Sequence, residues 1–190
     1  MDTQTTILIG VAVAAAAIAV IGWMLWRKKR TADLRDQFGP EYDRAVAAAG
    51  DSRRAEAGLA DRAKRVEKLQ LREISAADRD RFAQAWTRVQ ARFVDDPPGA
   101  VSEGDALIQE VMKSRGYPVG DFEQRAADLS VDHAEVVQNY RAAREIAIRN
   151  RDGKASTEDL RQALVHDRKL FEELLGVPAP AAETRELAHV

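Results

Sequence analysis

The longest apolar run of the chain lies near its N-terminus, where the twenty residues from Ile7 to Trp26 carry no charge. An α-helix of that length spans roughly 30 Å, the thickness of the hydrocarbon layer of a bilayer. Trp23 and Trp26 close the run, at the level where aromatic rings meet lipid headgroups. Four basic residues follow at once, Arg27, Lys28, Lys29 and Arg30. We therefore expect residues 1–30 to form a transmembrane anchor with these six side chains at the membrane interface.

The charges around this run predict whether the segment is cleaved or retained and which of its ends faces the cytoplasm. A cleavable signal peptide carries positive charge before its apolar core and a small-residue cleavage site after it. Here the basic cluster follows the core, and Asp2 alone is charged before it. We expect a retained anchor with the N-terminus outside and the rest of the chain in the cytoplasm. Two roles stay open for the basic cluster, holding anionic lipid headgroups or only stopping transfer.

Helical periodicity dominates the remainder, and no alternating apolar–polar pattern of useful length predicts a strand. Residues 31–74 are expected to form a juxtamembrane stretch and then a charged helix. This helix starts at Pro40 and runs to about residue 70, either broken at Gly50 or continuous.

The charge-dense part of this linker helix has a narrow apolar stripe, formed by Ala55, Leu59, Val66 and Leu69. Two interpretations remain open. The helix either leans on the domain by one edge or offers a face for a partner helix or self-association. The basic side chains that would contact such a partner are Arg53, Arg54, Arg62 and Arg65.

Residues 75–176 are predicted to form a compact antiparallel bundle of four main helices, because each carries an apolar face and the connections are short. Helix caps are expected at Ser75, at Asp132 and at Ser156, the last with Asp159 in the capping-box position. The clearest core face is that of the first bundle helix, with Phe82, Trp86, Val89 and Phe93. Residues 177–190 are Pro/Ala-rich and then charged, and we expect them to be disordered.

A second candidate binding feature is the turn Arg115-Gly116-Tyr117-Pro118. Tyr117 in this turn is either part of a surface knuckle that binds a partner or is tucked under the bundle together with Phe122.

Composition and charge exclude several kinds of functional site. The 190 residues contain no cysteine, which excludes disulfides, thiolate metal sites and cysteine nucleophiles. Without Asp2 and the basic cluster, 25 basic and 30 acidic side chains remain, a net charge of about −5 that argues against nucleic-acid binding. The histidines lack a zinc-ligand spacing, and no phosphate loop or nucleophile elbow is present. We expect no catalytic residue, no cofactor and no metal.

Three phrases, Phe38-Gly39-Pro40-Glu41-Tyr42-Asp43, Val89 to Pro97 and Arg115 to Pro118, together resemble an uncharacterised family of bacterial membrane-anchored helical proteins. The resemblance covers about residues 33–175. The resemblance implies a bacterial source and a single-pass helical protein. It implies no activity, cofactor or partner.

The sequence therefore predicts a membrane-tethered helical binding or scaffold protein of the bacterial inner membrane. It would contact lipid through residues 7–30 and a protein partner through its cytoplasmic part, and a homo-oligomer is left open. One alternative is an envelope-facing protein, if the topology is inverted or the anchor is cleaved. Another is an enzyme with a helical active site, which buried Asp, Glu, Arg or His converging on one pocket would favour.

Overall fold

A computed structural model describes residues 3–176 of the chain, with side chains from residue 14 onward. The described residues form eight helices and no strand, which confirms the all-α prediction. Their bounds are α1 Thr3–Phe38, α2 Pro40–Ala49, α3 Ser52–Glu67, α4 Ala76–Arg92, α5 Pro97–Arg115, α6 Phe122–Asp132, α7 Ala134–Arg151 and α8 Thr157–Leu175. The helices fall into two compact units, one ending at Ala60 and the other beginning at Asp61.

Within the described part of the chain, no helix combines the length and the apolar character needed to cross a membrane. The predicted span Ile7–Trp26 starts in residues 7–13, whose side chains lie outside the described ones. The predicted disordered tail, residues 177–190, also lies outside them.

The first unit contains α1, α2 and the start of α3. The predicted juxtamembrane stretch is the last two turns of α1, because nothing interrupts the helix before Gly39, which has a positive φ of 45°. Gly50 ends α2 in the left-handed conformation, so the linker helix is broken there rather than continuous. Thr31 and Tyr42 both donate hydrogen bonds to Oε1 of Glu56, at 2.9 and 3.0 Å, which joins the three helices.

The second unit contains the end of α3 and the bundle, in which α4, α5, α7 and α8 are the four predicted main helices and residues 122–132 form a shorter fifth one, α6. Ser75 caps α4, and Ser156 and Asp159 form the predicted capping box of α8. The cap predicted at Asp132 is wrong. Asp132 is the last residue of α6, and α7 begins after His133 without a side-chain cap.

The core of the bundle is centred on α8, which packs against α5 and α7, while α4 packs against α5 and α6 against α7. Trp86 of α4 is buried and stacks on Phe171 of α8 with ring centroids 4.6 Å apart, as its predicted core position requires. Gly104 keeps α5 close to α8, since a Cβ there would lie only 3.3 Å from Cδ1 of Leu164.

A second close approach ties the segment before α4 to the end of α5. The backbone N–H of Arg72 donates to the carbonyl of Arg115 at 3.0 Å. Gly116 follows with φ 93°, and a Cβ on it would meet the carbonyl oxygen of Gln70 at 2.6 Å. Only glycine fits this turn without displacement of the backbone.

Candidate functional site

The predicted membrane-interface residues form a belt of aromatic and basic side chains on α1. Trp23 and Trp26 are exposed, Trp23 by 53%. The Arg27 guanidinium lies 5.6 Å from the ring centroid of Trp23, and that of Arg30 lies 5.6 Å from Trp26. The four-residue spacing places each arginine beside its tryptophan on one helix face. We call Arg27, Lys28, Lys29 and Arg30 the basic collar.

The stretch of α1 before the basic collar is apolar on all sides and uncovered. Every residue from 14 to 26 is exposed, with Ile18 at 71%. The large apolar side chains on this surface are Ile18, Val20, Ile21, Trp23, Met24, Leu25 and Trp26. A helix that is apolar around its whole circumference needs apolar surroundings, either a protein core or lipid.

The four arginines predicted to bind a partner on α3 do not share one environment. Arg53 and Arg54 are exposed in the first unit, and Arg62 is half-buried in the second. Arg65 contacts a buried carboxylate, with its Nη2 2.6 Å and its Nε 2.9 Å from Oδ1 of Asp128. Arg65 is itself exposed but is held by its ion pair with Asp128, whereas Arg53 and Arg54 are exposed at the surface of the first unit.

Tyr117 is buried, which is the second of the two alternatives considered for it. Its hydroxyl donates to Oδ2 of Asp132 at 3.0 Å. Burial and the neighbouring Asp132 carboxylate raise the pKa of Tyr117 above its usual value. A partner cannot reach this side chain, so we remove Tyr117 from the candidate binding residues.

A cluster of polar groups lies elsewhere, at a cavity of about 180 Å³ between α5, α7 and α8. We call it the α5–α8 cavity. Part of its wall is apolar, formed by Val101, Ala143 and Ala147. Its polar lining consists of Ser102, Asp105, Tyr140, Arg144, Asn150, Arg151 and Asp167.

Asp105 is the centre of a hydrogen-bond network at this cavity. Its Oδ1 accepts from the Tyr140 hydroxyl at 3.0 Å, and its Oδ2 accepts from Nε2 of Gln109 at 2.8 Å. Arg125 of α6 donates to the Tyr140 oxygen at 2.9 Å and to the Gly120 carbonyl at 2.7 Å. Both carboxylate oxygens of Asp105 thus have a protein donor.

Asp167 differs from Asp105 because one of its oxygens has no such donor. The residue is 2% exposed, and its Oδ1 has no hydrogen-bond partner among the described residues. Desolvation, and to a smaller extent repulsion from Asp105, raise the pKa of the Asp167 carboxyl well above its usual value. The neutral acid is therefore favoured at a pH where an exposed aspartate is ionised.

Asp105, Tyr140 and Asp167 are not among the predicted site residues. A signal for Asp167 exists, because it follows Leu160 and Leu164 and precedes Leu170 and Phe171 on the apolar stripe of α8. A carboxyl group at such a position contradicts the hydrophobic pattern and marks a site to inspect. Within residues 3–176, no group of three or more His, Cys, Asp or Glu is placed to hold a metal ion.

Comparison of the chain with protein-family models, curated proteins and solved structures finds no match. The resemblance to a bacterial membrane-anchored family stays a prediction.

Proposed function

We propose that the chain is a membrane-tethered helical binding protein, anchored in the bacterial inner membrane through residues 7–30 and exposing its helical units to the cytoplasm. One observation carries the proposal: the uncovered apolar surface of α1 over residues 14–26, which ends at the basic collar. A bilayer supplies the apolar surroundings that this surface lacks. The uncharged sequence continues back to Ile7, which gives the length required to cross the hydrocarbon layer.

The distribution of charge supports the orientation. The basic collar directly follows the apolar surface, and basic residues flank membrane helices on the cytoplasmic side. Four such residues near an anionic leaflet contribute on the order of 4 kcal/mol, at about 1 kcal/mol each. Cation–π pairs hold two of them, Arg27 and Arg30, beside Trp23 and Trp26, and such aromatic rings prefer the headgroup level.

Tethering explains why a small helical protein without a recognisable catalytic set would carry such an anchor. A protein that holds a partner at a membrane gains from confinement, because confinement raises the effective concentration of the two molecules. Arg53 and Arg54 are exposed on α3 and carry the charge that an acidic protein surface would bind. A second copy of this chain is the competing partner.

Membrane extraction tests the anchor. Replacing Ile18 and Ile21 together with aspartate puts two charges into the apolar surface, each costing about 2.5–3.5 kcal/mol at the centre of a bilayer. We expect this variant to appear in the alkaline-carbonate supernatant while the parent chain stays in the pellet. Val94→Asp is the matched control, because Val94 is 82% exposed in the second unit and should not alter the fractionation. Equal pelleting of both variants would contradict the anchor.

Cysteine labelling tests the orientation, since the chain has no native cysteine. Thr3→Cys and Ala182→Cys place single thiols at the two ends. An impermeant thiol reagent on intact cells should label position 3 and spare position 182. Labelling of position 182 would instead support the envelope-facing alternative, and a shortened mature chain would reveal cleavage.

Complementation of a deletion strain tests the tether. An unrelated membrane span of the same orientation should replace residues 1–30 without loss of function, whereas the chain without any span should fail. Arg53→Glu with Arg54→Glu should weaken capture of the partner and leave the bundle folded. Full complementation by the chain without a span would overturn the tethering proposal.

A second candidate function, an enzyme with a helical active site, is favoured by the polar groups at the α5–α8 cavity, of which Tyr140 and Asp167 are buried. Asp105, Tyr140 and Asp167 line the cavity from three helices, and Arg125 of a fourth donates to the Tyr140 oxygen. Asp167→Asn is nearly isosteric and removes the ionisable group. Full complementation by this variant would exclude chemistry that depends on the carboxyl group.

A further inference from the structure

We propose that a groove between α1 and α3 binds the phosphate of an anionic phospholipid, with Arg27, Arg30 and Arg53 as the donors. The groove lies within the first unit and has a volume of about 290 Å³, and we call it the α1–α3 groove. This inference rests on the membrane anchor proposed above. It deepens that proposal, because a discrete site built from two helices takes the place of a general attraction between the basic collar and lipid.

The fold brings Arg53 of α3 to the basic collar of α1. Thr31 directly follows Arg30, and its hydroxyl donates to Oε1 of Glu56 at 2.9 Å, which joins the two helices at this level. Arg53 lies three residues before Glu56 and therefore on the same side of α3. It lines the groove together with two arginines of the collar. Three guanidinium groups thus share one concave surface.

The positive charge of the α1–α3 groove is not neutralised by the protein. Glu56 is the one acidic residue among those that line it, so three guanidiniums stand against a single carboxylate. Oε1 of that carboxylate already accepts two hydroxyl groups, those of Thr31 and Tyr42. Among the side chains of residues 14–176, no carboxylate forms an ion pair with any of the three arginines. An anion is the ligand that this surplus of positive charge favours.

The arginines also keep their hydrogen-bond donors. Arg27 and Arg30 each lie 5.6 Å from the ring centroid of a tryptophan, Trp23 and Trp26 respectively. A cation–π contact positions the guanidinium without giving its N–H groups an oxygen acceptor. The planar fork of a guanidinium matches two oxygens of one phosphate, which makes phosphate the preferred anion for such a set of donors.

The position of the groove identifies the phosphate as that of a lipid. Trp23 and Trp26 line the groove and are 53% and 57% exposed. The uncovered apolar surface of residues 14–26 ends at these rings, so a phosphate in the groove would place its acyl chains beside that surface. Both rings already contact a guanidinium, which leaves no free aromatic face for the quaternary ammonium of a zwitterionic choline lipid. The site should therefore select anionic lipids.

The volume of the groove agrees with this ligand. It lies at the lower end of the range for small-ligand pockets, which suits a phosphodiester and the short polar group attached to it. Arg54 is exposed on α3 but does not line the groove, and it stays available for the protein partner proposed above.

The experiment uses the full chain in lipid nanodiscs that contain equal amounts of phosphatidylglycerol and phosphatidylcholine with identical acyl chains. Native mass spectrometry then counts the lipids that stay bound when the protein is released. The parent chain should retain phosphatidylglycerol in preference to phosphatidylcholine. Arg53→Gln should lower the affinity for phosphatidylglycerol by about tenfold, because it removes one charge-assisted contact.

Arg54→Gln is the matched control, since it removes the same charge from the neighbouring exposed residue. A general attraction to anionic lipid responds equally to both changes, whereas the α1–α3 groove responds only to the first. Equal losses in the two variants would therefore overturn the proposal. Equal retention of the two lipids by the parent chain would do the same.

Two further outcomes separate this inference from other sources of error. Displacement of phosphatidylglycerol by excess inorganic phosphate would show that the groove takes a soluble anion and would overturn the lipid assignment. A parent chain that does not enter the nanodiscs would overturn both the membrane anchor and this inference. Entry into the nanodiscs without a lipid preference would overturn this inference alone.

Discussion

Substitution of Gly116 by alanine should destabilise the bundle far more than the same substitution at Gly153. Both glycines have positive φ, 93° and 69°, in the second unit. They differ in what surrounds them. A Cβ on Gly153 meets no atom within 4 Å, whereas a Cβ on Gly116 would lie 2.6 Å from the carbonyl oxygen of Gln70 and 3.7 Å from Cα of Leu71.

The expected magnitudes follow from these two environments. A non-glycine residue in the left-handed region costs about 1–2 kcal/mol. The loss of chain entropy in the unfolded state offsets about 0.4–1 kcal/mol of that cost. Gly153→Ala should therefore lower the free energy of unfolding by about 0–1.6 kcal/mol. Gly116→Ala adds the displacement of the Gln70 backbone, about 1–3 kcal/mol by analogy with overpacked cores, which brings its total cost to about 1–4.6 kcal/mol.

Urea unfolding followed by far-ultraviolet circular dichroism measures both values on the full chain in a mild detergent. The difference between the two variants isolates the contact with Gln70, because the backbone strain is common to both. Equal midpoints for the two variants would refute the close approach between the end of α5 and the segment before α4.

Three further predictions concern the bundle. Trp86→Ala should cost about 3–5 kcal/mol in unfolding free energy, and Trp86→Phe less than half of that. Phenylalanine keeps a ring on Phe171 and removes an indole N–H that has no hydrogen-bond partner within the described part of the chain. Arg65→Ala should cost about 2 kcal/mol, since it strands the buried Asp128 carboxylate, although Arg65 is itself 43% exposed. Adding Asp128→Asn should recover most of that loss. Asp167 has a higher pKa in the folded than in the unfolded chain, so its contribution to stability is full at acid pH and is lost as the pH rises above 3.8. Asp167→Asn should flatten the pH dependence of stability on the alkaline side of that value.

For each of these three predictions, one outcome of the same unfolding assay would contradict it. An unchanged midpoint for Trp86→Ala would place that ring outside the core. A double variant no more stable than Arg65→Ala alone would show that Asp128 is not stranded. A pH profile of Asp167→Asn parallel to that of the parent chain would mean that another group carries the dependence.

Helix boundaries set by local chemistry could be read from the sequence. Ser75 and Ser156 cap the helices that follow them, because the hydroxyl and the backbone N–H it binds are three residues apart. Asp132 was expected to act in the same way and does not. Its carboxylate accepts the hydrogen bond of Tyr117, 15 residues away, and a local rule cannot foresee that competition.

The candidate sites also differ in whether their residues are near one another in the sequence. The aromatic and basic residues of α1 are close in sequence, so their grouping could be predicted from the sequence alone. Arg65 and Asp128 are 63 residues apart, and Asp105 and Tyr140 are 35 apart, so their pairing depends on how the helices pack. Asp167 stood out only as a polar residue on an apolar stripe, a pattern that indicates a site without identifying its partners.

The stacking of Trp86 on Phe171 has a consequence for biosynthesis. The two rings are separated by 85 positions of the chain, so α4 and α5 leave the ribosome long before α8 exists. At roughly 5–20 residues per second, the interval between the two residues is about 4–17 s. For that time Trp86 and the surface around Gly104 lack the helix that covers them. A nascent chain in this state is a substrate for chaperones and proteases, so weakening α8 should reduce the yield of the protein in cells before any loss is measurable in the folded molecule.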